Sequence, residues 1–141
     1  MSSTLGSAIN ASASALDAQR VRMEVAISNL ANAESTRSAD GRPYRRREVV
    51  LESEPFAATL DSPVQATGVR VSAVLEDQTD FRRRYEPSHP DADADGNVAV
   101  PNVDVPEEMV DMLGAARAYQ ANLTAISLIR DTIQRALELA K

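Results

Sequence analysis

The chain has 141 residues, 43% hydrophobic but only 4% aromatic, with 15 Lys and Arg against 21 Asp and Glu for a formal net charge of −6. That length allows one domain or one and a half, with a modest core, and the negative balance disfavours nonspecific attraction to nucleic acid or an anionic membrane. The absence of cysteine excludes disulfides, thiol catalysis and cysteine metal sites, and no stretch approaches the ~20 apolar residues of a membrane span.

The start, MSSTLGSAINASASAL, has neither a basic leader nor a long apolar run, so no cleaved secretory signal is expected. Residues 1–33 are predicted to form a helix whose heptad positions are Gly6, Ile9, Ala13, Leu16, Arg20, Met23, Ile27 and Leu30, with Arg20 as the one interruption. Ala8, Ala11, Ala15 and Ala18 would let a second helix come close. Asn29 and Asn32 suit a helix C-terminus.

Residues 34–103 read as an extended loop and a small irregular β-rich insert. Asp40-Gly41 and Pro43 punctuate a turn, short strands are expected at 44–51, 69–76, 81–85 and 98–100, and 54–68, with Pro55 and Pro63, reads as loop. Such an insert is too short for a core of its own unless it leans on the helices. Two arginine triplets, 45–47 and 82–84, lack the lysines or aromatic platform of a base-binding patch, so solvated strand faces or protein contacts are expected, and no nucleic acid.

Asp91, Asp93, Asp95 and Gly96 copy the first half of a calcium-binding loop. The twelfth position is Asn102 instead of glutamate, and Pro90 and Pro101 stand where flanking helices belong, so an acidic turn is expected instead of a metal site. His89 has no local nucleophile or orienting partner. No nucleophile-elbow, dinucleotide or P-loop pattern occurs, so neither an enzyme nor a cofactor or small-molecule substrate is expected.

Residues 104–141 are predicted to form the second long helix. Asp104 is placed to cap it with Glu107 three residues on, and Pro106 falls in the first turn, where a missing N–H costs nothing. Heptad positions Met109, Met112, Ala116, Tyr119, Leu123, Ile126, Arg130, Ile133, Leu137 and Ala140 are apolar except for Arg130. At ~1.5 Å per residue this helix is roughly 50 Å long and needs a partner. The expected fold is therefore mainly α: the two terminal helices pair as an antiparallel coiled coil with the β-rich insert between them. Leu113, Leu128 and Ile129 widen the stripe beyond what one neighbour covers, and Gly114 costs ~1 kcal/mol relative to alanine unless another backbone comes close. Arg20 and Arg130 either set register or snorkel to solvent.

AQRVRMEVAISNLANAEST, DGRPYRRREVV and PNVDVPEEMVDMLGAARAYQANLTAI resemble the flagellar basal-body rod proteins. The segment from Ser28 to Asn32 looks like the N-terminal signature of rod and hook proteins, and that from Arg117 to Asn122 like the C-terminal one. Pro43 to Arg46 and Pro101 to Val103 favour the proximal-rod branch. The resemblance implies a structural subunit exported uncleaved by the flagellar type III apparatus. It would polymerise through its terminal helices into the rod that crosses the periplasm and transmits torque. Its partners would be itself, other rod proteins and the basal-body adaptor to the export gate. The subunit interface is then expected at Ile9, Leu16, Arg20, Met23, Ile27, Asn29, Leu30, Asn32, Tyr44, Arg45, Arg46, Met112, Tyr119, Gln120, Asn122, Leu123, Ile126, Arg130, Ile133 and Leu137. The competing expectation is a helical-hairpin binding module whose acidic loop takes calcium.

Overall fold

A computed structural model describes residues 2–38, 40–55 and 67–139, with residues 2–4 as backbone only. Its elements are α1 (Ser2–Ala31), β1 (Arg47–Pro55), β2 (Thr67–Glu76), β3 (Arg82–Tyr85), β4 (Asn97–Val100) and α2 (Val105–Leu139). The predicted loop at 54–68 and the last seam position, Ala140, lie largely outside the described residues. Among the described residues no helix is long and apolar enough to cross a membrane.

The helix ends follow local chemistry. Asp104 begins α2 as its sequence position demands: its carboxylate accepts the Glu107 N–H at 3.2 Å and its carbonyl accepts the Glu108 N–H at 3.0 Å. Glu107 and Glu108 put negative charge in the first turn. At the end of α1 the Asn32 side chain donates to the Ser28 carbonyl at 2.8 Å, and the Ser35 N–H closes the next turn on the Asn32 carbonyl at 3.0 Å.

Two small sheets form, β1 with β2 and β3 with β4. The second is antiparallel, pairing Arg82 with Val100 and Tyr85 with Asn97. The first predicted strand starts later than expected, at Arg47 instead of Tyr44. The preceding residues are drawn instead into a loop, where the Tyr44 N–H bonds to the Ser35 carbonyl at 3.1 Å. In β2 the predicted alternation holds as far as Ala73: Val69, Val71 and Ala73 are half-buried, while Arg70 and Ser72 face outward.

The chain divides into two compact units, one of Met1–Val21, Val50–Ala73 and Gly114–Lys141, the other of Arg22–Val49 and Val74–Leu113. In the first, Ser14 Oγ donates to the Ala11 carbonyl at 2.8 Å and accepts the Val69 N–H at 3.1 Å, which ties the edge of β2 to the helix. Ala18 and Ala115 are its enclosed helical positions. In the second, Ala33, Tyr44 and Val103 form the apolar core. There Arg22 meets Asp111 at 3.8 Å and Asn29 meets Glu108 at 2.9 Å. Within this unit, later residues of α1 thus face earlier residues of α2, in an antiparallel sense.

The faces that become buried differ from those the heptads select. At ~100° per residue the enclosed positions Ala18, Ala26 and Asn29 lie about 120° round α1 from the Ile9, Leu16, Met23, Ile27 series. That series is half-buried, and Ile27 is exposed. Along α2 the covered series is Glu108, Met112, Ala115, Tyr119, Asn122, Ile126, Ile129 and Ile133. Half of the predicted seam is retained, whereas Met109, Leu123, Arg130 and Leu137 are exposed. The reason is size and polarity: alanines let the backbones approach, and the polar Asn29 and Glu108 find partners only on the inner face. Nor is either seam arginine buried. Arg130 is exposed, and Arg20 lies at the surface 3.9 Å from Asp17.

Candidate subunit interface

The interior of the second unit is a polar knot centred on Asn29. Its amide donates to the Arg47 carbonyl and to Glu108 Oε2, each at 2.9 Å, and its oxygen accepts the Tyr44 hydroxyl and the Arg47 N–H, each at 2.9 Å. Both donors and both acceptor positions of the amide are used. The second oxygen of Glu108 takes Arg46 Nε at 2.6 Å. Asn102 accepts the Arg46 N–H at 2.9 Å and donates to Thr79 Oγ1 at 2.8 Å. No buried side-chain polar atom among the described residues lacks a partner.

Charge in the knot is balanced locally. Burial alone would lower the Arg46 pKa, but the hydrogen bond and charge of Glu108 outweigh it, with Glu107 and Glu48 adding, and the group sits above the ordinary arginine value. Asp77 sits below the ordinary carboxylate range, chiefly because the Thr79 N–H and hydroxyl bond to it; burial opposes this, and Arg46 and Arg45 contribute charge.

The predicted interface residues therefore separate into three groups. Asn29 and Tyr44 are buried within the chain, and Arg46 is nearly so, its side chain being 15% exposed. Half-buried positions are Ile9, Leu16, Met23, Leu30, Asn32, Arg45, Met112, Tyr119, Asn122, Ile126 and Ile133. Arg20, Ile27, Gln120, Leu123, Arg130 and Leu137 are exposed. Of the residues expected to widen the stripe, Ile129 is half-covered, while Leu113 and Leu128 are 49% and 61% exposed. Among the described residues a Cβ at Gly114 would meet nothing within 4 Å, so no described backbone of this chain explains that glycine. The polar clamp of Asn102 and Glu108 was missed as a unit, although both residues stand in a quoted motif. Hydropathy gives no signal for a buried glutamate.

The acidic loop is held by protein donors. Asp93 Oδ1 accepts the N–H groups of Asp95 and Asn97 at 2.9 and 2.8 Å, and Gly96, at φ +78°, completes the turn. Asp91 bonds to Thr36 Oγ1 and to Arg37, both at 2.9 Å, and its N–H donates to His89 Nδ1 at 3.1 Å. In the arginine triplets, Arg45 lies over the Phe81 ring at 4.5 Å, Arg82 is 3.9 Å from Asp104, and Arg84 is 2.7 Å from Glu34. These three side chains are occupied by protein.

Long terminal helices, an interior given to a structural polar knot, and large apolar side chains left at the surface define a subunit of an assembly, and the comparisons agree. The family profile described as "Flagellar basal body rod FlgEFG protein C-terminal" matches residues 94–139. Flagellar basal-body rod protein FlgC of Bacillus subtilis is 45% identical over 144 residues, covering 94% of this chain and 96% of the relative. The FlgC proteins of Salmonella typhimurium and Aquifex aeolicus are 44% and 41% identical, with 91% and 95% of this chain covered and 92% and 96% of the relatives. The chain belongs to the flagellar basal-body rod protein FlgC family. It is a structural protein of the flagellar basal body, not an enzyme.

Proposed function

We propose that the chain polymerises, with itself and with other rod proteins, through the outward faces of its two terminal helices. The resulting drive shaft transmits torque across the periplasm. Inside each subunit the helices pair as an antiparallel coiled coil whose register is that of the covered positions, with Asn29 against Glu108. Export through the flagellar type III apparatus and contact with the basal-body adaptor to the export gate belong to the same reading, on the strength of the family.

The observation that carries this is the distribution of apolar side chains. Ile27, Leu113, Leu123, Leu128 and Leu137 are 40–62% exposed on two amphipathic helices, whereas the enclosed helical positions are alanine, asparagine and glutamate. Large apolar side chains left outside while small ones are buried inside mark surfaces awaiting a neighbour. Repeated heterologous contacts between such surfaces generate open helical assemblies.

Leu123→Asp tests it. Because the side chain is 40% exposed, the isolated chain should lose only about 1 kcal/mol of stability or less. Basal bodies carrying it should lack assembled rod, and cells should not swim, because a charge would stand unpaired among apolar neighbours. Full motility would refute the reading.

A further inference from the structure

In the second unit, a surface cavity of about 260 Å³ is lined by Arg42, Arg45, Arg47, Tyr44 and Phe81. Asp40 and Glu76 also reach it, so three guanidinium groups face two carboxylates. Arg45 stacks on Phe81 at 4.5 Å and spends NH1 on the carbonyls of Asp77 and Thr79, at 2.8 and 3.1 Å. Arg47 stands over Tyr44 at 5.8 Å. Neutral carbonyls and rings hold Arg45 and Arg47, Asp77 acts on Arg45 only from beyond ion-pair range, and among the described residues none of the three arginines forms an ion pair. In a chain of net charge −6, this recess carries three guanidinium groups against two carboxylates, an excess of one positive charge in its lining.

The same unit carries a complementary projection. Asp95 is exposed, and its carboxylate has no partner among the described residues. Its position is fixed because Asp93 holds the N–H groups of Asp95 and Asn97, and Gly96 locks the turn at φ +78°. A carboxylate on a preorganised turn loses little conformational entropy on docking.

We infer that the arginine-lined recess receives the Asp93–Asp95 turn of a second copy of this chain. Recess and turn are different surfaces of one unit, so the contact is heterologous and repeats from copy to copy. It gives the acidic turn, which resembles half a calcium loop, a role as a ligand for arginine. The inference rests on the reading of the chain as a polymerising subunit. It adds an electrostatic contact that sets lateral register beside the apolar helix faces.

The absence of native cysteine makes the test free of background. Ser38→Cys, in the lining of the recess, and Ala94→Cys, on the exposed turn, leave every charge of the contact in place; the two chains are expressed together in one cell, and isolated basal bodies are treated with a flexible bismaleimide and separated under denaturing conditions. A dimer band is expected only when both chains are present. Adding Arg45→Glu to the Ser38→Cys chain should lower its yield by about tenfold. Motile cells without the dimer, a band in which Ser38→Cys is joined to a different rod protein, or a yield unchanged by Arg45→Glu would each overturn the inference. Motility of the singly substituted strains is scored in parallel: motile cells lacking the cross-link reject the contact and leave the rod reading standing, whereas motile cells whose isolated rods lack this chain would count against that reading.

Discussion

Asn29 joins three segments through one amide: α1, the start of β1 and the first turn of α2. Removing a buried partner leaves the others desolvated and unpaired, at about 1–3 kcal/mol each. Glu108 is the sharper test of this logic, because it is 2% accessible and bound to both Asn29 and Arg46. Glu108→Ala should cost about 1–3 kcal/mol for each of the donors it leaves unpaired, Asn29 Nδ2 and Arg46 Nε, while the Arg46 charge keeps Asp77 at 3.8 Å and Glu48 at 4.0 Å. Glu108→Gln, which keeps the acceptor facing Asn29, should cost less. Urea denaturation separates the two, and equal, small losses would show that the knot contributes little. Gly96→Ala should cost about 1–3 kcal/mol through its positive φ. The new Cβ would stand 2.9 Å from Tyr85 Cε2 and 3.1 Å from Pro87 Cβ, and the ring can swing away while the proline cannot.

The pH response belongs to Asp77. Its folded-state pKa is lowered by the hydrogen bonds from Thr79. Its contribution is therefore complete above the unfolded value of about 3.9 and is lost as pH falls through the folded value. The stability gap between wild type and Asp77→Asn should be present at neutral pH and close below about pH 4. A gap independent of pH would assign Asp77 a purely geometric role.

For the elements, existence and sense were legible in the residues, whereas the inner faces were not. Asp104, Pro106 and the run of heptads mark α2, and Asn32 marks the end of α1, because capping and proline chemistry act within a few residues. Val69, Val71 and Ala73 mark β2 for the same reason. The choice of inner face depends on what the partner helix presents. Ala18, Ala26 and Ala115 have little hydropathy to advertise, and Asn29 and Glu108 carry the opposite signal. Large apolar residues thus drew the predicted seam towards Leu123 and Leu137, about 50° from the covered series on α2. Gly114 gives a test at this scale. Gly114→Ala should stabilise the isolated chain by about 1 kcal/mol through helix propensity, since nothing among the described residues obstructs the added methyl. If a neighbouring subunit's backbone packs there, the same change should reduce swimming. A stabilised and fully motile variant would remove Gly114 from the interface.

At the level of the whole molecule, the division between inside and outside on the two helices is what the proposed polymerisation needs. Small and polar residues occupy the enclosed helical positions, and large apolar residues stay at the helix surface. Helices of 30 and 35 residues with thin inner faces should be incompletely formed in isolation, because isolated helical stability comes mostly from packing. Circular dichroism of the purified chain should show less helix than these two elements supply, and more after co-assembly with other rod proteins; identical spectra would mean that the helices form without neighbours. The measurement that bears most directly on the division is an electron cryomicroscopy map of the assembled rod at side-chain resolution. It should place Ile27, Leu123, Leu128 and Leu137 against neighbouring subunits while Asn29, Tyr44, Arg46 and Glu108 remain joined within one chain. A map with those leucines facing solvent, or with the Asn29–Glu108 contact exchanged between subunits, would contradict it.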